Sequence, residues 1–215
     1  MNTQIADDRS ATARAIFAGL CASLVGIGLA RFAYTPLIPP MIEAHWFAAK
    51  DVVYLGAANL VGYLVGALLG RPAARHFGAR TTLRAMMALT SAAFFACAFP
   101  LSVAWFFSWR LLSGVSGGII MVLAAATVLP HVPAARRGMA SGAIFLGIGV
   151  GIAASGTLVP LLLDAGMRAT WLGLGALSLV LTVASWICWP NISVAAPCCS
   201  IPPSCRCWTW SSMWA

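Results

Sequence analysis

Uncharged, mostly apolar stretches recur along this chain at the length of a membrane crossing. The segments between Asp51 and Arg71, Arg84 and Arg110, Arg110 and Arg136, and Arg137 and Asp164 contain no Asp, Glu, Lys or Arg. A helix needs about 20 apolar residues to cross a hydrocarbon core. The pattern predicts six spans, roughly at 14–38, 52–70, 83–101, 104–129, 139–162 and 170–189. In lipid, only helices and closed barrels satisfy their own backbone groups. These runs are too long and alternate too poorly for barrel strands. The expected fold class is therefore an all-α membrane protein, a six-helix transmembrane bundle.

Periodicity does not separate the two sides of these helices, because lipid-facing and core-facing residues are both apolar. Small residues are more informative. Gly62, Gly66 and Gly70 recur every fourth residue on the second span. Gly147, Gly151 and Ser155 do so on the fifth, and Gly114 and Gly118 on the fourth. Small residues at this spacing let helix backbones approach closely. The plain reading is tight packing. The sharper one is that these faces slide or rock as the protein gates.

Charge orients the bundle. Arg9 and Arg14, then Arg71, Arg75, Arg80 and Arg84, then Arg136 and Arg137 fall in one set of loops and ends. The other set holds Lys50 and Arg168 beside Glu43, Asp51 and Asp164. Basic loops stay in the cytoplasm, so both termini are expected there. The composition agrees with a lipid environment: 61% hydrophobic, 8% charged, mean hydropathy +0.90. The net charge of +8 does not point to nucleic acid, because the basic residues sit in the gaps between apolar runs.

Three regions follow. Residues 1–12 are a polar cytoplasmic N-terminus with Asp7 and Asp8, unlike the basic start of a cleaved signal peptide. Residues 13–190 are the transmembrane half-bundle. Residues 191–215 contain none of the 20 glycines but hold Cys198, Cys199, Cys205 and Cys207 of the seven cysteines. This spacing matches no zinc pattern, and the stretch is expected to lie outside the packed fold, as after a truncation or a change of reading frame.

Arg31 carries the strongest chemical signal. It lies deep in the first span, and an intramembrane Arg faces a partner, a cavity or water. Tyr34 and Thr35 follow one turn on and are expected on the same face, and Pro36, Pro39 and Pro40 should then end or kink the helix. Arg110 enters the fourth span from the same side and should reach a similar depth. Both Arg residues are expected to face the bundle interior; the competing reading is that they snorkel to the headgroups. No span contains an Asp or Glu, so two cations at one level call for an anion from elsewhere, a second protein unit or a substrate. Asn59, Tyr54 and Tyr63 on the second span are weaker candidates, since a lone Asn in a span usually ties helices together.

An enzyme is the competing class. Ser141 in MASGAIF invites comparison with a six-span intramembrane serine protease of rhomboid type. Such an enzyme needs a later histidine as base, and His45, His76 and His131 all precede it. No catalytic set, metal site or cofactor is expected.

The motifs themselves resemble a known family. GLARFAYTPLIPPM (residues 28–41) is similar to the end of the first span in the YbfB/YjiJ-like bacterial branch of the major facilitator superfamily. Arg110-Leu-Leu-Ser-Gly114 resembles the superfamily's fourth-span motif, with Ser113 where Gln is usual. GRPAARHFGAR (residues 70–80) resembles the loop between spans two and three but lacks its Asp. GIGVGIAASG resembles the Gly-rich fifth span without its Pro. The resemblance covers about residues 13–189, the N-terminal half of such a transporter. It implies a secondary transporter of a small solute, an organic anion by the Arg residues, in a bacterial inner membrane. Arg31, Tyr34, Thr35, Arg110 and Asn59 would line the solute site. Gly62, Gly66, Gly70, Gly114, Gly147 and Gly151 would serve packing and gating. The implied partners are the lipid bilayer, the solute, and a second half, supplied by a homodimer or a missing C-terminal half. The alternative is a fragment that inserts but moves nothing.

Overall fold

The computed structural model describes residues 2–189. The expectation for 191–215 lies outside the described residues. Every element found is helical. α1 (Asn2–Ser23) runs into a π-helical turn (Leu24–Leu29), then α2 (Ala30–Phe32) and α3 (Tyr34–Glu43). There follow α4 (Ala49–Phe77), α5 (Ala79–Cys97), α6 (Val103–Val128), two short 3-10 turns, α7 (Arg137–Leu163) and α8 (Met167–Ser185). The backbone of residues 2–12 forms the first part of α1.

Five helical stretches are long and apolar enough to cross a membrane: Ser10–Glu43, Ala49–Phe77, Val103–His131, Ala134–Leu163 and Met167–Ser185. The third predicted span does form a helix, α5, but does not join them. It starts at Ala79 and so carries Arg80 and Arg84 in its first turns. Its buried side is rich in hydroxyls, with Thr82, Thr90 and Ser91 all inside. Thr82 bonds to the Gly78 carbonyl at its own helix start, and the other two find partners across the bundle. Thr90 Oγ1 lies 2.7 Å from Ser116 Oγ on α6, and Ser91 Oγ lies 2.8 Å from Ser178 Oγ on α8.

The three prolines of the first stretch do not end it. The chain instead breaks at Ala33 and restarts as α3, which continues through Pro39 and Pro40 to Glu43. Pro36 then falls in the first turn of the new helix, where a missing N–H breaks no bond that a helix start would have made. The winding is relieved earlier, in the π turn, whose six residues are all buried.

α6 runs through the middle, packed against α4, α5 and α1. Its N-terminus is capped by Ser102, whose hydroxyl accepts from the Trp105 N–H at 3.1 Å. The α4–α6 contact is close because glycines interlock. A Cβ on Gly62 or Gly66 would strike the carbonyl of Leu111 or Val115, and one on Gly114 would strike that of Asn59. Gly70 sits more loosely, 3.3 Å from a Val122 side chain. On the other flank, Gly147 meets the Leu20 carbonyl, and a Cβ on Gly28 would lie 2.6 Å from the Gly151 Cα. At these glycines the neighbouring helix backbones lie within van der Waals reach. Two apolar cores result: one toward Ala15, Leu83 and Val128, the other around Leu37, Phe106 and Trp171.

Candidate functional site

The break at Ala33 positions the candidate residues of the first span. Tyr34, at the start of α3, is buried, and its hydroxyl donates to the Val52 carbonyl of α4 at 2.7 Å. Thr35, the next residue, is exposed. The expected common face of Arg31, Tyr34 and Thr35 is therefore split: the structure brings Tyr34 to the interior and leaves Thr35 outside.

Arg110 is buried, 3% exposed. Its guanidinium carbon lies 4.1 Å from the Tyr34 ring centroid, and one terminal nitrogen donates to the Ala30 carbonyl at 3.0 Å. Ala30 adjoins Arg31 in the chain, so the two Arg residues do reach one level. They do not share a partner. Arg31 is half-buried and lies over Tyr63 of α4, 5.2 Å from the ring centroid. Each cation thus rests on its own tyrosine face. A cation over an aromatic ring gains about 2 kcal/mol when desolvated, which partly replaces the acid that neither has.

Asn59 is buried and its amide nitrogen donates to the Arg110 carbonyl at 3.1 Å. It ties α4 to α6 directly beside Gly114. Tyr54 is 68% exposed and meets neither Arg. Gly62, Gly66 and Gly114 set the distance at which Tyr63 and Asn59 face α6.

Several residues of the site have no counterpart in the sequence reading. Trp171 of α8 is buried against Phe106, at 5.4 Å between ring centroids, and against Phe94. With Ala93, Phe94, Cys97, Arg110 and Ser113 it walls a cavity of about 10 Å³. Only the i, i+4 spacing of Ser178 and Thr182 could have signalled that α8 turns a polar side inward. A wider depression of about 530 Å³ opens between α3, α4 and α6, walled in part by His45, Trp46 and Asp51.

What this arrangement can do is hold charge inside an apolar bundle. Arg110 is fully engaged by protein on one side. Arg31 keeps part of its guanidinium accessible beside Tyr63. Among the described residues no group of His, Cys, Asp and Glu could hold a metal ion.

Comparison with known proteins places this geometry. The chain superposes on the proton:xylose symporter XylE bound to 6-bromo-6-deoxy-D-glucose with a TM-score of 0.75, at 16% identity, covering 84% of this chain and 45% of that one. The inward-open xylose transporter XylE from E. coli gives 0.62, again at 16% identity, over 84% of this chain and 48% of that one. This chain thus spans under half the length of either. At this identity the likeness is one of fold. No curated protein matches. A family model described as "Uncharacterised MFS-type transporter YbfB" matches residues 23–212. The chain is thus a multi-pass membrane protein, and it belongs to the YbfB-type branch of the major facilitator superfamily.

Proposed function

We propose that this chain is the N-terminal six-span half of a secondary transporter for a small organic anion, embedded in a bacterial inner membrane with both termini cytoplasmic. α5 would count as the sixth crossing, its hydroxyls paired inside the bundle. The observation that carries the reading is Arg31: a half-buried side chain, stacked on one tyrosine, at the level of a second buried cation, in a bundle whose crossing helices carry acids only at their ends, Glu43 and Asp51. An anionic solute supplies the charge that the bundle lacks, and an Arg fork pairs well with a carboxylate. In this division of labour Arg31 with Tyr63 meets the solute. Arg110, Tyr34 and Asn59 hold α3, α4 and α6 in place around it.

Transport by this reading needs a second bundle, either another copy or a C-terminal half. Superfamily halves are related by an axis along the membrane normal, so two copies with the same orientation can face each other. The second reading is a bundle that inserts and moves nothing by itself. The length relation to the two xylose transporters favours it, since the match covers under half of each. Uptake of labelled organic anions into proteoliposomes decides between them. Uptake by the purified chain alone, lost in Arg31→Ala, supports the homodimer. Uptake only when a separate C-terminal bundle is co-reconstituted supports the half-transporter. No anion uptake in either arrangement sinks the anion reading.

A further inference from the structure

The first crossing passes from one apolar core to the other at its π turn. Before the turn, Ala18 and Ala22 of α1 pack in the first core. After it, Ala30, Tyr34 and Leu37 pack in the second. The turn itself, Leu24–Leu29, is buried throughout. Within it the α-helical ladder fails. In an α-helix the Ala30 N–H would reach the Gly26 carbonyl, four residues back. It donates instead to the carbonyls of Val25 and Ile27, on either side of Gly26. A π turn takes up one residue more than the α-helix around it, and such turns are rare and concentrate at functional sites. Beyond it only α2 (Ala30–Phe32) stands before the break at Ala33. Arg31 is the middle residue of that short segment.

Backbone meets backbone on both sides of the turn. A Cβ on Gly117 of α6 would lie 2.5 Å from the Gly26 carbonyl oxygen, and one on Gly151 of α7 would lie 2.5 Å from the Gly28 Cα. At these two points no interdigitated side chains resist a rotation. A polar link comes from Ser155 of α7. Its hydroxyl lies 3.2 Å from the Gly28 carbonyl and 2.8 Å from that of Gly151 in its own helix. A hydroxyl has one proton to give, so on releasing Gly28 it keeps a partner in Gly151. In an unbroken α-helix the Gly28 carbonyl would take the Phe32 N–H instead. Opening the link therefore strands neither group, which is the usual obstacle to backbone movement in a membrane.

We propose that the π turn is a swivel between the two cores, latched by Ser155, which converts to α-helix and turns α2 with Arg31 about the axis of the crossing. Drawing the extra residue into the ladder adds one α-helical step, about 100° and about 1.5 Å. The break at Ala33 takes up that rotation, so α3 keeps its Tyr34 bond to Val52. Arg31 leaves the ring of Tyr63, on which it now rests. The bond from Arg110 to the Ala30 carbonyl, at 3.0 Å, belongs to the present state and biases the swivel toward it. The device stands whether or not Arg31 meets a solute.

The test uses the full chain in lipid nanodiscs, in a background without other cysteines, with pairs of nitroxide labels read by pulsed electron resonance. Arg168→Cys, exposed at the outer end of α8, serves as the common reference. Paired with Phe32→Cys in α2 it should give two distances, apart by up to about 8 Å, the chord of that rotation at the surface of a helix. Paired with Thr35→Cys in α3 it should give one. Deleting Gly26 removes the extra residue and fixes the present orientation, so a single distance should remain for Phe32→Cys. Ser155→Ala removes the latch and should raise the second population about two- to threefold, the effect of losing one interhelical bond. A single distance for Phe32→Cys in the otherwise unmodified chain overturns the proposal. So does a second population that persists after deletion of Gly26, since label rotamers alone would produce it. Should the deletion variant not fold, Ser155→Ala decides. A changed ratio at Phe32→Cys with Thr35→Cys unmoved supports the swivel, and an unchanged ratio rejects it. Solute uptake enters none of these readouts, so failure here leaves the transport reading untouched, and the reverse.

Discussion

Arg110 lays its guanidinium over the ring of Tyr34, 4.1 Å from the centroid, while the hydroxyl of that ring donates to Val52. One tyrosine thereby joins α3, α4 and α6 and gives a buried cation a partner without an opposite charge. Such a pairing differs from an ion pair in what its removal should do. A buried charge without an acid is a standing desolvation cost.

Arg110→Met should therefore be tolerated. The methionine fills similar volume and removes the charge, and stability should stay within about 1 kcal/mol of the original or rise. Arg110→Lys should be worse, by about 2 kcal/mol, because an ammonium is more strongly hydrated and lacks the flat face that stacks on Tyr34. Thermal unfolding, followed by tryptophan fluorescence, ranks the two. The opposite order would mean that the charge itself holds the helices together.

Tyr63 offers a matching test at Arg31. Tyr63→Phe keeps the π face and should leave stability and any anion uptake nearly unchanged. Tyr63→Leu removes the face and should weaken uptake about fivefold, equivalent to about 1 kcal/mol of lost cation–π attraction. Equal behaviour of the two variants would show that Arg31 does not depend on the ring.

Glycines divide into two kinds, and alanine should tell them apart. Gly66→Ala and Gly114→Ala place a methyl against a neighbouring helix backbone and should cost about 1–3 kcal/mol by forcing α4 from α6. Gly149→Ala and Gly156→Ala, within α7 and with open space around them, should be neutral or stabilising by up to about 1 kcal/mol. Chemical denaturation of the four variants in mixed micelles measures this. Loss of stability at Gly149 would indicate an interface on that face of α7.

The hydroxyl pairs of α5 should behave as interhelical links. Ser91→Ala and Ser178→Ala should each cost about 0.6 kcal/mol, the usual size of such bonds in membranes. The double variant should cost less than their sum, since both remove the same 2.8 Å contact. Strict additivity would mean that the two hydroxyls do not bond.

Topology can be read directly. In a background without other cysteines, Ala73→Cys and Ala134→Cys should react with a thiol reagent only when the cytoplasmic face is open, and Ala48→Cys from outside. Accessibility of Ala48 and Ala73 from the same side would rule out α4 as a crossing.

The long apolar runs by themselves settled that this chain folds as helices in lipid, because backbone hydrogen bonding in hydrocarbon leaves little choice. The four-residue spacing of Gly62 and Gly66, and of Gly114 and Gly118, marked faces on which α4 and α6 meet, since only a missing side chain permits that distance. The Arg residues at matching depth were legible for the same reason: a charge stands out in an uncharged run. What stayed hidden were relationships across helices. Whether Tyr34 or Thr35 faces Arg110 depends on the break at Ala33 and the π turn before it, which shift the face by a fraction of a turn. That α5 is tied by Thr90 and Ser91 as well as by its apolar contacts depends on Ser116 and Ser178, distant in sequence. The cavity shared by Arg110 and Trp171 exists only once α5, α6 and α8 close around it. Local hydropathy sets which segments leave water; only the packed bundle decides which polar atoms then find one another.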